Sequence, residues 1–351
     1  MIFAITCYTI LLLLFSSSAM DAAKSALSLC YRSLIPSLFP FFVCSNLLIN
    51  LGAASSISKW FFPLTRSLFG LSGGCALPIF LGMFCGYPVG AKTTVDLYQN
   101  DGCSKSEAEK LLAFCNNSGP AFVIGAVGYG MLKSGNLGII LYLSHILSAF
   151  TIALCMHNFP TCIRHGSANT KPDYSSRSFG ELFPEAIASS ALLTLNVCGF
   201  AVFFSTLISL IDSLGLVSAL ASLGINSKLI QGAIYSFFEC GGGCNALALA
   251  DMAVVPKLML LSSALGWSGI SVHVQVLGII KKAKLSPKLY FKGKALMTII
   301  SPLLTLIIYL MYMGRLSVLP FVEAVFLFLL VMHIAGKLFK TYSRYRALPP
   351  R

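Results

Sequence analysis

The sequence predicts an all-α polytopic membrane protein with about eight transmembrane helices, two re-entrant helical hairpins and two inverted-topology repeats. Three observations predict this class. Hydrophobic residues make up 56% of the 351 residues and charged residues only 11%, whereas a soluble domain carries about 25% charged residues. The mean hydropathy is +0.82. Glycine- and proline-rich segments interrupt the apolar runs at matching places in the two halves of the chain.

This composition excludes several classes of protein. There are too few charged residues to cover the surface of a soluble enzyme or of a nucleic-acid-binding domain. The net charge of +13 is instead typical of cytoplasmic loops that carry excess Lys and Arg. The 12 cysteines are scattered without a CxxC pair, so we expect neither a disulfide framework nor a metal site. No nucleophile motif or Walker sequence occurs. We therefore expect neither an enzyme nor an ATP-driven pump, and no cofactor.

Charge-free apolar runs define the predicted spans, because about 20 apolar residues cross the hydrocarbon core. Eight spans are predicted, at 2–20, 34–52, 114–131, 137–157, 187–213, 258–280, 295–313 and 319–339, and the apolar run of the last is interrupted by Glu323. The windows 73–91 and 229–250 are dense in Gly or Pro. Backbone so interrupted is tolerated at membrane depth only where protein buries it or where it lines a cavity, and we predict a re-entrant hairpin in each window. Residues 1–20 lack the basic start of a signal peptide, which favours an uncleaved helix.

The distribution of basic residues predicts the orientation of the chain. With the lysine-rich loop at 281–294 placed in the cytoplasm, all but six of the 25 Lys and Arg residues fall on the cytoplasmic side. The six exceptions are Lys24, Arg32, Lys133, Lys228, Lys257 and Arg315. This bias predicts that both termini are cytoplasmic.

The two halves of the chain present the same features in the same order. Each contains three predicted spans and one hairpin, so the second half must be inverted relative to the first, as in many transporters. The predicted organisation is an N-terminal transmembrane helix (1–24), a first repeat (25–157), a cytoplasmic linker (158–184), a second, inverted repeat (185–313) and a C-terminal transmembrane helix with a basic cytoplasmic tail (314–351).

In the first half, the candidate binding residues of the hairpin are Gly86, Tyr87, Pro88, Gly90 and Lys92. The glycines let another group approach the backbone, and Pro88 interrupts the helical hydrogen bonds. Freed N–H groups there suit an anion, and Lys92 adds a full charge. A packed turn whose Lys92 reaches to the cytoplasmic interface is an equal alternative.

The second interruption of this half is Asn116-Asn117-Ser118-Gly119-Pro120. Pro120 suits the first turn of a new half-helix, which places Ser118 near a positive helix dipole. We predict that Asn116, Asn117, Ser118 and Gly119 bind solute; the alternative is a proline kink between packed helices.

In the second half, Glu239 is the most informative charge because a carboxylate at membrane depth costs about 2.5–3.5 kcal/mol on translocon scales. It is either a proton carrier that couples transport or a cap of the glycine-rich turn that follows it. Gly241 and Asn245 are the candidate binding residues beside it.

The fourth interrupted segment contains the candidate residues Ser268, Gly269, Ser271 and His273. Ser268-Gly269 matches Ser118-Gly119 in the first half. His273 follows the break within about one turn, where it is either a ligand or a partner in an interhelical hydrogen bond.

Four motifs together resemble the sporulation integral membrane protein family of the YlbJ or SpoVV type. They are GYPVGAK (86–92), FCNNSGP (114–120), FE followed by glycines (238–243) and WSGISVH (267–273). The resemblance covers roughly residues 25–310 and implies repeats of the nucleoside-recognition gate class, which also occurs in concentrative nucleoside transporters.

The resemblance implies transport of dipicolinic acid across the outer forespore membrane. The residues themselves indicate only a small polar or anionic solute. The planar ring of dipicolinate, the solute that the resemblance implies, is suited to contact with Tyr87 or Trp267. The expected partners are this small-molecule anion, the lipid bilayer and either a second copy of the chain or other sporulation membrane proteins, with no nucleic acid. Two alternatives stay open: a nucleoside or nucleobase transporter, and a non-transporting assembly factor of the spore envelope.

Overall fold

The computed structural model describes residues 2–51, 65–157, 159, 178–222 and 226–316, and within these ranges all regular structure is helical. The α-helices are, in chain order, α1 (Ile2–Leu14), α2 (Ser16–Leu29), α3 (Ile35–Asn50), α4 (Ala76–Phe84), α5 (Val89–Gln99), α6 (Lys105–Leu112), α7 (Gly135–Cys155), α8 (Phe179–Ser213), α9 (Leu216–Ala221), α10 (Ser227–Phe238), α11 (Cys240–Leu249), α12 (Val254–Trp267), α13 (Gly269–Lys282) and α14 (Lys288–Tyr312). Two π-helical segments, Cys30–Leu34 and Ala121–Met131, and a 3-10 turn at Gly73–Cys75 accompany them. The predicted all-α class is confirmed for these residues.

Within the described residues, five helical segments are long and apolar enough to cross a bilayer. They are Ser16–Leu47, Gly135–Cys155, Phe179–Ser213, Val254–Lys282 and Lys288–Tyr312. Three shorter apolar helices are Ile5–Leu14, Gly73–Phe84 and Ala121–Met131. The count of eight spans and the re-entrant hairpins stay predictions, and the span at 319–339 lies outside the described residues. Helix α8 begins inside the predicted linker 158–184, of which residue 158 and residues 160–177 are not described.

The N-terminal region differs from the single helix predicted over 2–20. Phe15 separates α1 from α2, with φ −113° and ψ 41°. The chain then continues as one apolar helical stretch to Leu47. Asp21 and Lys24 lie within this stretch with exposed side chains, so neither charge has to be buried and neither ends the helix. A charge-free window therefore marks the apolar part of a helix and not its ends.

Helices α4 and α5 form a pair, and the chain between Gly82 and Gly90 turns from one to the other. A Cβ on either glycine would overlap the carbonyl oxygen of Cys115. Small residues permit this approach of backbone to backbone. The loop that follows α6 is thus inserted against both helices of the pair.

Helices α10 and α11 form the corresponding pair in the second half, and Glu239 separates them in an extended conformation with φ −144° and ψ 122°. The glycines that follow lie inside α11, so the prediction of a glycine-rich turn is corrected. A Cβ on Gly243 would overlap Ser236 of α10. The absent side chain therefore allows the two helices to pack closely, while Glu239 alone forms the break.

The two halves of the chain share their buried apolar cores. One core includes Leu111 from the first half and Val276 from the second. The other includes Val127 from the first half and Leu261 from the second. Close packing fixes such contacts and holds the interrupted segments of both halves together. We call the place where the segments around Gly86, Ser118, Glu239 and Ser268 meet the junction.

Candidate functional site

A cavity of about 40 Å³ lies where the four interrupted segments meet. Its polar and glycine lining consists of Gly86, Tyr87, Gly119, Glu239, Gly241, Ser271 and Gln275. Apolar side chains complete the wall, among them Leu34, Phe41, Phe42, Phe122, Val197 and Phe200. At roughly 10–15 Å³ per water molecule, the cavity has room for a few waters. Six of the residues proposed as site residues from sequence therefore face one common space.

In the first half, the hairpin turn and the interrupted helix touch backbone to backbone. Gly86 has φ +77°, and a Cβ on it would lie 2.8 Å from the amide nitrogen of Gly119. A positive φ is readily adopted only by glycine. Position 86 therefore requires glycine for its backbone conformation. Positions 86 and 119 both require glycine because there is no space for a side chain.

The loop between α6 and the π-helix Ala121–Met131 is fixed by two hydrogen bonds. Asn117 Nδ2 donates to Phe114 O at 2.8 Å. Ser118 N donates to His145 Nε2 on α7 at 3.0 Å. A neutral His145 that accepts through Nε2 carries its proton on Nδ1.

In the second half, the Glu239 carboxylate caps the start of α11. Gly241 N donates to Glu239 Oε1 at 2.7 Å, and Gly242 N donates to Oε2. Gly269, with φ +82°, packs against the break between α10 and α11, since a Cβ on Gly269 would lie 3.0 Å from Cys240 N. The capping interpretation thus describes the contacts of Glu239, which also faces the cavity.

The interruption between α12 and α13 holds a buried lysine. Ser268 has a left-handed conformation with φ +74°, and its Oγ accepts from Lys294 Nζ of α14 at 2.9 Å. Lys294 is only 2% exposed. On the same side, the His273 Nδ1 atom and the Tyr290 hydroxyl are 2.7 Å apart and share a hydrogen bond.

Sequence reasoning missed three residues of this junction: His145, Tyr290 and Lys294. Lys294 was assigned to a cytoplasmic loop as one of a run of lysines. Helical periodicity contains a signal that identifies it. Along α14 the residues of one buried stripe are Tyr290, Lys294, Met297, Ser301 and Thr305.

Several buried polar atoms of the junction have no hydrogen-bond partner within the described part of the chain. They are Asn116 Nδ2 and Oδ1, Asn117 Oδ1, Ser118 Oγ, His145 Nδ1, Ser236 Oγ and His273 Nε2. Asn116 faces the Tyr290 hydroxyl and Ser118 faces the Tyr87 hydroxyl, without hydrogen-bond geometry. Such groups are rare in folded proteins and call for a water, an ion or a ligand.

Four of the predicted site residues lie elsewhere or make other contacts. Lys92 is exposed on α5, so the positive charge at the junction is that of Lys294. Asn245 is half-buried on α11 and is absent from the cavity lining. Pro88 is half-buried beside the hairpin turn, and Gly90 packs on Cys115 O.

The fold and the site define a helical integral membrane protein in which two helix pairs and two interrupted helices converge on a buried polar junction. Residues 31–164, which contain the first pair and the first interrupted helix, match the family model described as Gate, nucleoside recognition. Over 304 residues the chain is 29% identical to the sporulation integral membrane protein YlbJ of Bacillus subtilis strain 168. This alignment covers 80% of the chain and 74% of the relative. The resemblance predicted from the four motifs is confirmed by both comparisons.

Proposed function

We propose that this protein is a secondary transporter or facilitator that moves dipicolinic acid across the outer forespore membrane during sporulation, with both termini in the cytoplasm. The solute passes unchanged, without an enzymatic step or a cofactor. The observation that carries this proposal is the convergence of four interrupted segments on one buried junction with unsatisfied polar groups. Inverted repeats with such broken helices are a recurrent plan of secondary transporters.

The free-energy cost of burying unpaired polar groups at the junction supports a transport role. Each polar group buried without a partner is unfavourable by about 1–3 kcal/mol, and irregular backbone at membrane depth requires protein or a wet cavity around it. Packing alone would be served better by continuous helices with apolar side chains. A solute that pairs with these groups for part of the cycle accounts for their retention.

The size of the cavity indicates how transport would proceed. An aromatic ring with two carboxylates is larger than a space of about 40 Å³. We therefore propose that the solute enters after the hairpin turn at Gly86 moves away from Gly119, and the turn at Glu239 from Gly269. Both contacts are made without intervening side chains, so each pair can separate without rearranging a packed side chain.

The identity of the solute is supported by chemistry and by the relative. Dipicolinate is a planar dianion, and the junction offers the Asn116 amide, the ring nitrogens of His145 and His273, and the Lys294 ammonium. The Tyr87 ring at the cavity is suited to stacking on a flat heterocycle. The relative is a sporulation membrane protein, and the four family motifs imply this acid as the solute.

The test is dipicolinate entry into proteoliposomes that contain the full chain, measured by the luminescence of trapped terbium. Saturable entry above that of empty liposomes is expected. The Gly119→Leu variant should lose it, because a side chain there meets the Gly86 backbone. Gly199→Leu is the matched control, since nothing lies within 4 Å of a Cβ at that position. No entry in either direction with folded, inserted protein would refute the proposal.

A second candidate solute is a nucleoside, favoured by the description of the matching family model and by the Glu239 carboxylate that faces the cavity. The Glu239 carboxylate would repel a dianion, whereas it would not repel a neutral nucleoside. Competition distinguishes the two solutes. Uridine should leave terbium-detected dipicolinate entry unchanged if dipicolinate is the substrate, and labelled uridine should enter if the nucleoside is.

A further inference from the structure

We propose that Lys294 binds a carboxylate group of the transported solute, and that it selects organic anions over neutral molecules of the same shape. This inference rests on the proposed transport function. It adds the chemical class of the solute, an organic anion, and the residue that would select it. It starts from one contact: the Lys294 ammonium, 2% exposed, has Ser268 Oγ as its hydrogen-bond partner at 2.9 Å.

This contact leaves the ammonium incompletely satisfied. An ammonium group has three N–H donors and no acceptor, and a serine hydroxyl takes one of them without neutralising the charge. No carboxylate among the described residues is bonded to Lys294. A buried charge without a counterion is expensive, and the natural compensation is an anion that arrives with the solute.

Several donors without a partner among the described residues lie near Lys294. The two histidines lie within electrostatic range of its charge. His145 accepts from Ser118 N through Nε2, so its neutral ring has a free Nδ1–H donor. Asn116 Nδ2 is a second donor without a partner in the described ranges. Donors beside a cation match the lone pairs of a carboxylate.

The Ser268 segment connects this charge with the cavity. Ser268 stands at the interruption, and Ser271 lies one turn further along α13, where it lines the cavity. A carboxylate that displaces the Ser268 hydroxyl from Lys294 would therefore approach along the same segment. Lys292, two residues earlier on α14, is exposed and cannot take this role.

A purely structural role gives a different expectation. The ammonium of Lys294 reaches Ser268 at the C-terminus of α12, where a cation stabilises the helix dipole. If capping is its only task, Lys294→Gln should lower the melting temperature of the ligand-free protein. If Lys294 serves to bind an anionic solute, Lys294→Gln removes an uncompensated buried charge from the ligand-free protein. The melting temperature should then stay unchanged or rise.

The experiment compares the full-length wild-type protein, Lys294→Gln and the matched control Lys292→Gln in detergent and in proteoliposomes. The first readout is the melting temperature with dipicolinate or with pyridine-2,6-dicarboxamide, a neutral molecule of the same shape. A ligand that binds the folded state raises this temperature by mass action. We expect dipicolinate, and not the diamide, to stabilise the wild type and Lys292→Gln, while Lys294→Gln loses the shift. The second readout is terbium-detected flux, for which Lys294→Gln should raise KM by about tenfold or more.

The outcomes separate this inference from the proposed function. A shift with dipicolinate but no flux in the wild type would refute transport and leave the carboxylate site standing. Normal flux together with an unchanged shift and KM in Lys294→Gln would overturn the assignment of Lys294 and leave transport standing. Equal stabilisation by the diamide would overturn selection by charge. If Lys294→Gln does not fold, Ser268→Ala decides: it frees the ammonium, so tighter dipicolinate binding supports the inference and unchanged binding with a lower melting temperature overturns it.

Discussion

The amide nitrogen of Gly119 lies 2.8 Å from the position that a Cβ of Gly86 would occupy. The hairpin turn of the first half thus rests on the interrupted helix with no side chain between them. In the second half, a Cβ of Gly269 would lie 3.0 Å from Cys240 N. The same kind of contact occurs at corresponding features of both halves, and these are the surfaces that the proposed transport would separate.

Replacing Gly86 with alanine should destabilise the protein and reduce flux. The new Cβ overlaps Gly119, and the backbone at φ +77° disfavours any side chain. Overpacking costs typically 1–3 kcal/mol, so we expect the free energy of unfolding to fall by about 2 kcal/mol or more. Denaturant unfolding in detergent measures it, with Gly199→Ala as a control that should be neutral or slightly stabilising. Equal stability of the two variants would contradict the contact.

Glu239 should combine a capping role with a role in proton coupling, and two substitutions separate them. Glu239→Ala removes both acceptors from Gly241 N and Gly242 N and should cost about 0.5–2 kcal/mol of stability. Glu239→Gln keeps one acceptor oxygen but does not ionise, so it should fold and lose the response of flux to an imposed pH gradient.

The measurement for Glu239→Gln is terbium-detected flux with and without the gradient. The exposed carboxylate of Asp96 provides the control Asp96→Asn. If the glutamine variant transports like the wild type at every pH and gradient, the coupling hypothesis is wrong.

The interruptions of the helices could be predicted because they depend on local composition. Gly, Pro and polar residues within an apolar run weaken a helix locally, and the breaks at Glu239 and Ser268 lie within the predicted segments. The helical conformation of the glycines after Glu239 could not be predicted, because whether a glycine forms a turn or a close helix contact depends on the partner helix. Gly243 packs on Ser236 of the neighbouring helix, which composition does not reveal.

The buried charge was assigned to the wrong residue for a similar reason. Lys92 follows a conspicuous glycine motif and is exposed, whereas Lys294 belongs to a lysine-rich run and is buried. A count of charges places the whole run on one side of the membrane. Burial of Lys294 results from packing of α14 against the break at Ser268, a contact between residues 26 positions apart. Only the periodicity of α14 indicates it from sequence.

Tyr290→Phe should weaken the second half of the junction. The Tyr290 hydroxyl and His273 Nδ1 are 2.7 Å apart, and both residues are buried. Loss of the hydroxyl leaves the ring nitrogen without its partner, which costs on the order of 1 kcal/mol. Tyr312→Phe removes an exposed hydrogen bond to Asn136 and should have a smaller effect. Unfolding curves of both variants in the same detergent test this order, and its reversal would contradict the contact.

Lys110 should make stability depend on pH above neutrality. Its side chain is fully buried and donates to Phe69 O at 2.8 Å and to His157 O at 3.2 Å. Burial lowers the pKa of Lys110 to about 8, although Cys75 and Glu107 act in the opposite direction. In the unfolded chain a lysine has a pKa of about 10.4.

Between about pH 8 and 10.4 the unfolded state therefore binds more protons than the folded state, and the free energy of unfolding should rise with pH through this window. The neutral amine still donates to both carbonyl groups, so these contacts survive deprotonation. Lys110→Met removes the titration and should lack this rise, while the exposed Lys105→Met of the same helix should retain it. Unfolding free energies from pH 7 to 10.5 measure the difference between wild type and each variant. A difference for Lys110→Met that stays constant with pH, or that shifts against the wild type as pH rises, would show that burial does not lower the pKa of this lysine.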